Sequence, residues 1–230
     1  MGVYWQGLIE AMRLLLTGNS EVMEIVYRTL HVSGTATLIG MLIGIPLGTI
    51  IALSSFPGRR LIVSLVNLGM GLPPVVVGLF VSLTLSRYGP LGLLGLLYTP
   101  TAMITAQVII AAPIITGFTI AAIQSLNPKI RMQILALGAS NLQLLWLLLR
   151  EAKLGLLTAI IAGFGGAISE VGASMMVGGN LKGSTMVLTT STVLSVNKGE
   201  YEFATALSII LLGLTFFITA AITIGQQRGR

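Results

Sequence analysis

The chain contains no cysteine and no aspartate, one histidine (His31) and only seven glutamates. Without cysteine there are no disulfides, thiolate metal sites or thiol nucleophiles, and a lone histidine does not build a zinc site. Catalysis needs a paired acid and base, metal ligands or an activated nucleophile, and this chain is poor in all three. Charge is scarce altogether: 9% of the 230 residues are charged, against about 25% in soluble domains. Thirteen Lys and Arg leave a net charge of +6. They form no basic run or arginine-rich helix to follow a phosphate backbone, so a nucleic-acid partner is excluded. What the chain has in excess is hydrocarbon. Hydrophobic residues make up 54% of it and mean hydropathy is +0.95, which excludes an ordinary water-soluble globule.

Uncharged runs of thirty residues (29–58), twenty-six (61–86) and forty-one (88–128) separate the basic positions, and a helix needs about 20 residues to cross a bilayer. The runs predict spans at 31–54 and 61–86. The third run is split by Gly89, Pro90, Gly92, Gly95 and Pro100 into an external loop and a span at 101–124. Spans at 154–177 and 203–225 complete an all-α, five-span membrane domain over residues 1–230. Nothing at the start matches a cleavable leader, and Gln6 breaks a myristoylation pattern. Instead Trp5, Leu8, Ile9, Met12, Leu15 and Leu16 recur at helical spacing opposite Gln6, Glu10 and Arg13, predicting a helix on the membrane surface. Gly18 stops it, and Ser20 with Glu21 and Glu24 reads as the cap and acidic first turn of the next helix. Arg59, Arg60, Lys129, Arg131, Arg150, Lys153, Arg228 and Arg230 fall on one side, and Arg13, Arg28, Arg87, Lys182 and Lys198 on the other. The basic excess places the N-terminus outside, the C-terminus in the cytoplasm and a long cytoplasmic loop at 125–153.

Gly40, Gly44 and Gly48 recur every fourth residue and predict close helix packing. Pro73 and Pro74 interrupt the second span and Pro113 the third, each removing a backbone hydrogen bond inside the membrane. Either the helices are simply kinked, or they line a pathway and bend during a cycle. Glu170 is the one ionisable residue well inside a predicted span. An ionised carboxylate repels an anion, so the expectation is a structural or gating role, paired with a basic group or a backbone donor. The run 178–185 has the glycine spacing of a phosphate-binding loop, but Ser184 stands where lysine is essential, so no nucleotide binds by that device. Thr185, Thr189, Thr192 and Ser195 form a hydroxyl stripe on a predicted short helix, facing water or offering weak donors to an oxyanion in a cavity.

In the cytoplasmic loop, Asn127-Pro128 starts a helix, Gly138 stops it and Ser140 caps a second one through Leu149. Ala136-Leu137-Gly138-Ala139-Ser140 resembles the cytoplasmic loop of ABC importer permeases, although Met132-Gln133-Ile134 stand where that family has Glu-Ala-Ala. Leu72-Pro73-Pro74-Val75-Val76-Val77-Gly78-Leu79 and 168–180 look like the molybdate, tungstate and sulfate permease group, the second most like its tungstate branch.

The resemblance covers nearly the whole chain. It implies a homodimer with the pathway on its two-fold axis, a cytoplasmic ABC ATPase dimer that binds the ATP, and an external oxyanion-binding protein. It implies no cofactor in this chain, which is a transport subunit and not an enzyme. Tungstate is the expected cargo, with molybdate or sulfate next. ATPase coupling is expected at Lys129, Arg131, Ala136, Leu137, Gly138, Ala139 and Ser140. The pathway or gate is expected at Pro73, Pro74, Glu170, Ser174, Thr185, Thr189 and Thr192. A stand-alone secondary transporter or channel would also use broken helices and a buried glutamate, but such folds show internal repeats and none is present here.

Overall fold

The computed structural model describes residues 2–227, and the regular elements among them are helical. Arg228 and Arg230, assigned to the cytoplasmic side from the sequence, lie outside the described residues. Helix α1 (Val3–Leu16) precedes α2 (Ser20–Leu53), whose cap is Asn19 and not Ser20: Asn19 Oδ1 accepts the Val22 amide at 3.2 Å. The 34 residues of α2 reach about 50 Å, beyond the ~30 Å hydrocarbon core. The expected span 31–54 is therefore the later part of a longer helix.

The expected span 61–86 is two helices, α3 (Arg59–Met70) and α4 (Pro74–Leu85), bent by 95°. Two consecutive prolines without N–H groups, next to Gly71, leave the ladder too few donors to continue. Helix α5 (Pro100–Gln124) runs unbroken through Pro113. Helices α6 (Pro128–Ala136) and α7 (Asn141–Glu151) form the predicted hairpin. The fourth span, expected to be continuous, is also broken: α8 (Lys153–Ile168) and α9 (Gly172–Gly178) are bent by 56°. A short α10 (Leu188–Asn197) and α11 (Tyr201–Gln227) complete the fold.

The glycine ridge of α2 meets α5 in parallel register. A Cβ on Gly40 would lie 3.3 Å from Ile115 Cδ1, on Gly44 2.9 Å from Ile115 Cγ2, and on Gly48 2.7 Å from Thr119 Cβ. Parallel α2 and α5 give the bundle two defined ends. Helix α3 starts beside the end of α2, where Arg59 Nε donates to the Ile51 carbonyl at 2.7 Å. Gly69 meets Pro113 in the middle of α5, and Leu85 closes α4 in one cluster with Met103 near the start of α5. Gly155 packs on Ala122, Gly163 on Ile115 and Gly178 on Met103, so α8 and α9 run the whole length in the opposite sense to α5. Each bent pair thus passes from one end of the bundle to the other and does not turn back as a re-entrant loop.

Two apolar clusters hold these passages together. One joins α2, α4, α5 and α9 through Val32, Val81, Met103 and Val177, and the other joins α1, α2 and α11 through Leu14, Val22, Ile25 and Leu207. Helix α1 buries Gly7, Ala11 and Leu14, with Gly7 against Thr205 of α11, and leaves Trp5, Ile9, Met12 and Leu16 exposed. Leu8 and Leu15 are exposed as well, so all six residues of the expected apolar face are open.

Candidate functional site

At the break between α8 and α9, Glu170 is 6% exposed, and its Oε1 accepts the Ala173 amide at 2.7 Å. A helix start leaves backbone donors unpaired, and inside an apolar bundle no water replaces them. The carboxylate fills that need. Its backbone carbonyl accepts the Thr189 hydroxyl at 3.0 Å, which ties α10 to the break. No cation pairs with Glu170 among the described residues. Of the two partners expected from the sequence, the structure provides the backbone donor. Helices α4 and α9 then pack with their backbones nearly touching: a Cβ on Gly78 would lie 2.6 Å from Ala173 Cα, and one on Gly172 2.8 Å from Val75 Cγ2.

Both breaks reach the protein surface. Gly71, Pro73 and Ser169 are exposed, Pro74 is half-buried, and the carbonyls of Gly71 and Leu72 accept no hydrogen bond among the described residues. Lipid tails offer no donors, so irregular backbone at this depth is tolerated only against water or another protein.

Ser174 is buried (1% exposed), and its hydroxyl accepts from Gln107 Nε2 of α5 at 3.2 Å. The sequence reading missed Gln107; the available signal was an amide in the middle of an apolar span. It also treated Arg28 as a flanking charge. Arg28 is buried, donating to the Met186 carbonyl at 3.1 Å and paired with Glu24 at 2.7 Å.

The hydroxyl stripe differs from expectation. Thr185 precedes α10 instead of lying on it. Its hydroxyl donates to the Gly178 carbonyl and accepts the Leu181 amide, closing the turn after α9. Thr189 is spent on Glu170, and Thr192 donates to Leu188 of its own helix. Thr185, Thr189 and Ser195 are buried and Thr192 is half-buried. Thr192 borders a groove of about 320 Å³ with Tyr4, Tyr201 and Ser208, and Ser195 borders another of about 410 Å³ with Asn19, Glu21 and Lys182.

At the opposite end of the bundle, Asn127 caps α6 by accepting the Lys129 amide at 3.0 Å. Ser140 and Gln143 cap α7 reciprocally, at 2.8 and 3.4 Å. Gly138 between them has φ +80°, a conformation with little cost only for glycine. Lys129, Arg131, Ala136 and Ser140 are exposed and Ala139 is half-buried. Leu137 is 87% exposed, with Met132, Leu142 and Trp146 also open, and Arg150 lies over the Trp146 ring at 5.3 Å. Exposed apolar patches of this kind mark interaction sites in proteins generally.

Two broken helix pairs long and apolar enough to cross a membrane, with a capped hairpin projecting from one end of the bundle, are the architecture of a helical membrane transport protein. Residues 44–228 match the model of the binding-protein-dependent transport system inner membrane component, and the chain belongs to that family. The resemblance read from the Leu72–Leu79 and 168–180 motifs is thereby confirmed. The tungstate uptake system permease protein of Peptoclostridium acidaminophilum is 42% identical over 217 residues, covering 94% of this chain and 95% of that one. A probable anion ABC transporter permease protein of Haloferax volcanii is 40% identical, covering 84% and 85%. In fold, a chain of the MetNI methionine ABC transporter in an inward-facing conformation superposes with a TM-score of 0.75 at 21% identity, over 91% of this chain and 96% of that one.

Proposed function

We infer that this chain is the membrane subunit of an ATP-driven importer of tungstate, working as a homodimer. Five crossings, at α2, α3/α4, α5, α8/α9 and α11, place the N-terminus outside and the α6–α7 hairpin in the cytoplasm. Helix α1 lies at the outer interface with its apolar face in lipid. ATP binds to a separate ATPase dimer that grips the hairpin at Lys129, Arg131 and Ala136 to Ser140. An external binding protein delivers the oxyanion. Within an oxyanion-specific system, the named tungstate relative supports tungstate as the cargo.

The observation that carries the reading is the α6–α7 hairpin, whose Leu137 stands 87% exposed beside a left-handed Gly138. Without a partner such a surface is a liability in the cytoplasm. The exposed breaks at Gly71–Pro73 and Ser169 mark the pathway face, which a second copy encloses. Pro73 and Pro74 line that face. Glu170, Ser174, Thr185 and Thr189 act as gate residues by holding α9 and α10 in place instead of touching cargo, and Thr192 lies beside them.

The test is tungstate uptake by proteoliposomes containing this chain with and without its co-expressed ATPase and binding protein. ATP-dependent uptake only from the complete assembly is the expected result. Uptake by this chain alone would instead establish a stand-alone carrier.

A further inference from the structure

Buried polar atoms in a native structure nearly always find partners, and each exception needs an explanation. Gln107 is such an exception. It is 2% exposed in the middle of α5; its Nε2 donates to Ser174 Oγ at 3.2 Å, while its Oε1 has no partner among the described residues.

Its location gives this vacancy meaning. Ser174 sits on α9, the short half-helix beyond the Glu170 break, and α9 is bound closely to α4 through Gly78 and Ala173. Between α5 and α9, the Gln107–Ser174 bond is the one side-chain hydrogen bond among the described residues. Elsewhere the contact is apolar, as where Gly178 meets the Met103 thioether. Apolar contacts slide at little cost. A hydrogen-bonded amide with a vacant end instead favours whichever arrangement satisfies both ends.

We propose that Gln107 is a positioning residue for transport: its unpaired amide end gains a partner, water or protein, when α9 shifts against α5, so Gln107 raises the energy of the arrangement seen here relative to the next one in the cycle. The inference rests on the permease reading. It adds a role for a side chain that touches neither cargo nor ATPase.

The test uses the complete importer, reconstituted with its ATPase and binding protein, carrying Gln107→Leu together with Ser174→Ala, or Ser174→Ala alone. The double change removes the vacant amide end and the hydroxyl it bonds, so no buried polar atom of the pair is left unpaired. The double variant should melt at a higher temperature than the parent. Its maximal tungstate-stimulated ATP turnover should fall about fivefold or more, the lower end of what an unmade hydrogen bond is worth. The tungstate concentration for half-maximal turnover should be unchanged. Ser174→Ala alone keeps the amide and strips its one partner, so it should melt lower. A merely structural Gln107 would give lower melting and parallel loss of assembled complex. The proposal is overturned if the double variant melts below the parent, fails to assemble, or turns over at the parental rate. If the unmodified complex does not import tungstate, the permease assignment fails instead, and the melting temperatures still decide whether the vacancy is strained.

Discussion

Replacing Glu170 separates capping from charge. In Glu170→Ala the Ala173 amide loses the acceptor now 2.7 Å away, at a position where the side chain is 6% exposed and water does not substitute. An exposed cap is worth about 1 kcal/mol, and a buried donor left unpaired costs about 1–3 kcal/mol. The buried figure applies here. Taking about 2 kcal/mol, the equilibrium between seated and unseated α9 moves about thirtyfold. Glu170→Gln keeps an acceptor oxygen and loses only the charge assistance, which roughly halves the bond and costs about 1 kcal/mol, or about fivefold. Tungstate uptake by the reconstituted complex and hydrogen exchange of the 172–178 amides report the two effects together. Glu170→Ala should slow uptake on the order of thirtyfold and speed exchange at Ala173, while Glu170→Gln stays within about fivefold of the parent on both. If Glu170→Gln is as damaged as Glu170→Ala, the negative charge itself is used and the capping account is wrong. Parental uptake in Glu170→Ala would refute it from the other side.

Gly138 has φ +80° with open space around it, so Gly138→Val strains the backbone by about 1–2 kcal/mol without a clash. It should uncouple ATP hydrolysis from uptake in an intact complex, and coupled transport at the parental ratio would count against the hairpin's role. A methyl at Gly48 meets Thr119 Cβ at 2.7 Å and the Thr116 carbonyl at 2.8 Å. Gly48→Ala should therefore lower thermal stability by about 1–3 kcal/mol, while Gly34→Ala, with nothing within 4 Å inside α2, should leave melting equal or slightly raised, since alanine is the better helix former. Thr189→Val breaks the bond to the Glu170 carbonyl and should slow uptake in an assembled dimer. Thr192→Val removes only a bond within its own helix and should transport normally, so equal effects of the two would remove the tie between α10 and the break.

The sequence alone settled whatever depends on neighbours along the chain. Uncharged length set where passages run, Pro73-Pro74 set one break, every fourth glycine from Gly40 set the close face of α2, and Asn127, Gly138 and Ser140 set the hairpin. Each is a local rule of backbone geometry, capping or solvation. The start of α2 went to Asn19 instead of Ser20 because neighbouring cap residues compete for the same amides. The break at 169–171 escaped notice because no proline marks it, and it exists only where Glu170 is held in place to cap α9. Tertiary structure alone decided which polar groups meet: Gln107 with Ser174, 67 residues apart, Arg28 with Met186, 158 apart, and Thr189 with Glu170. It also decided that Thr185 and Thr189 bond inside the fold and that both bent pairs traverse the bundle. Periodicity states that a residue is polar and on which side of its helix it lies. Which distant donor or acceptor waits there is fixed only when the helices pack, because in a dry interior each polar atom must be satisfied by whatever group that packing brings within reach.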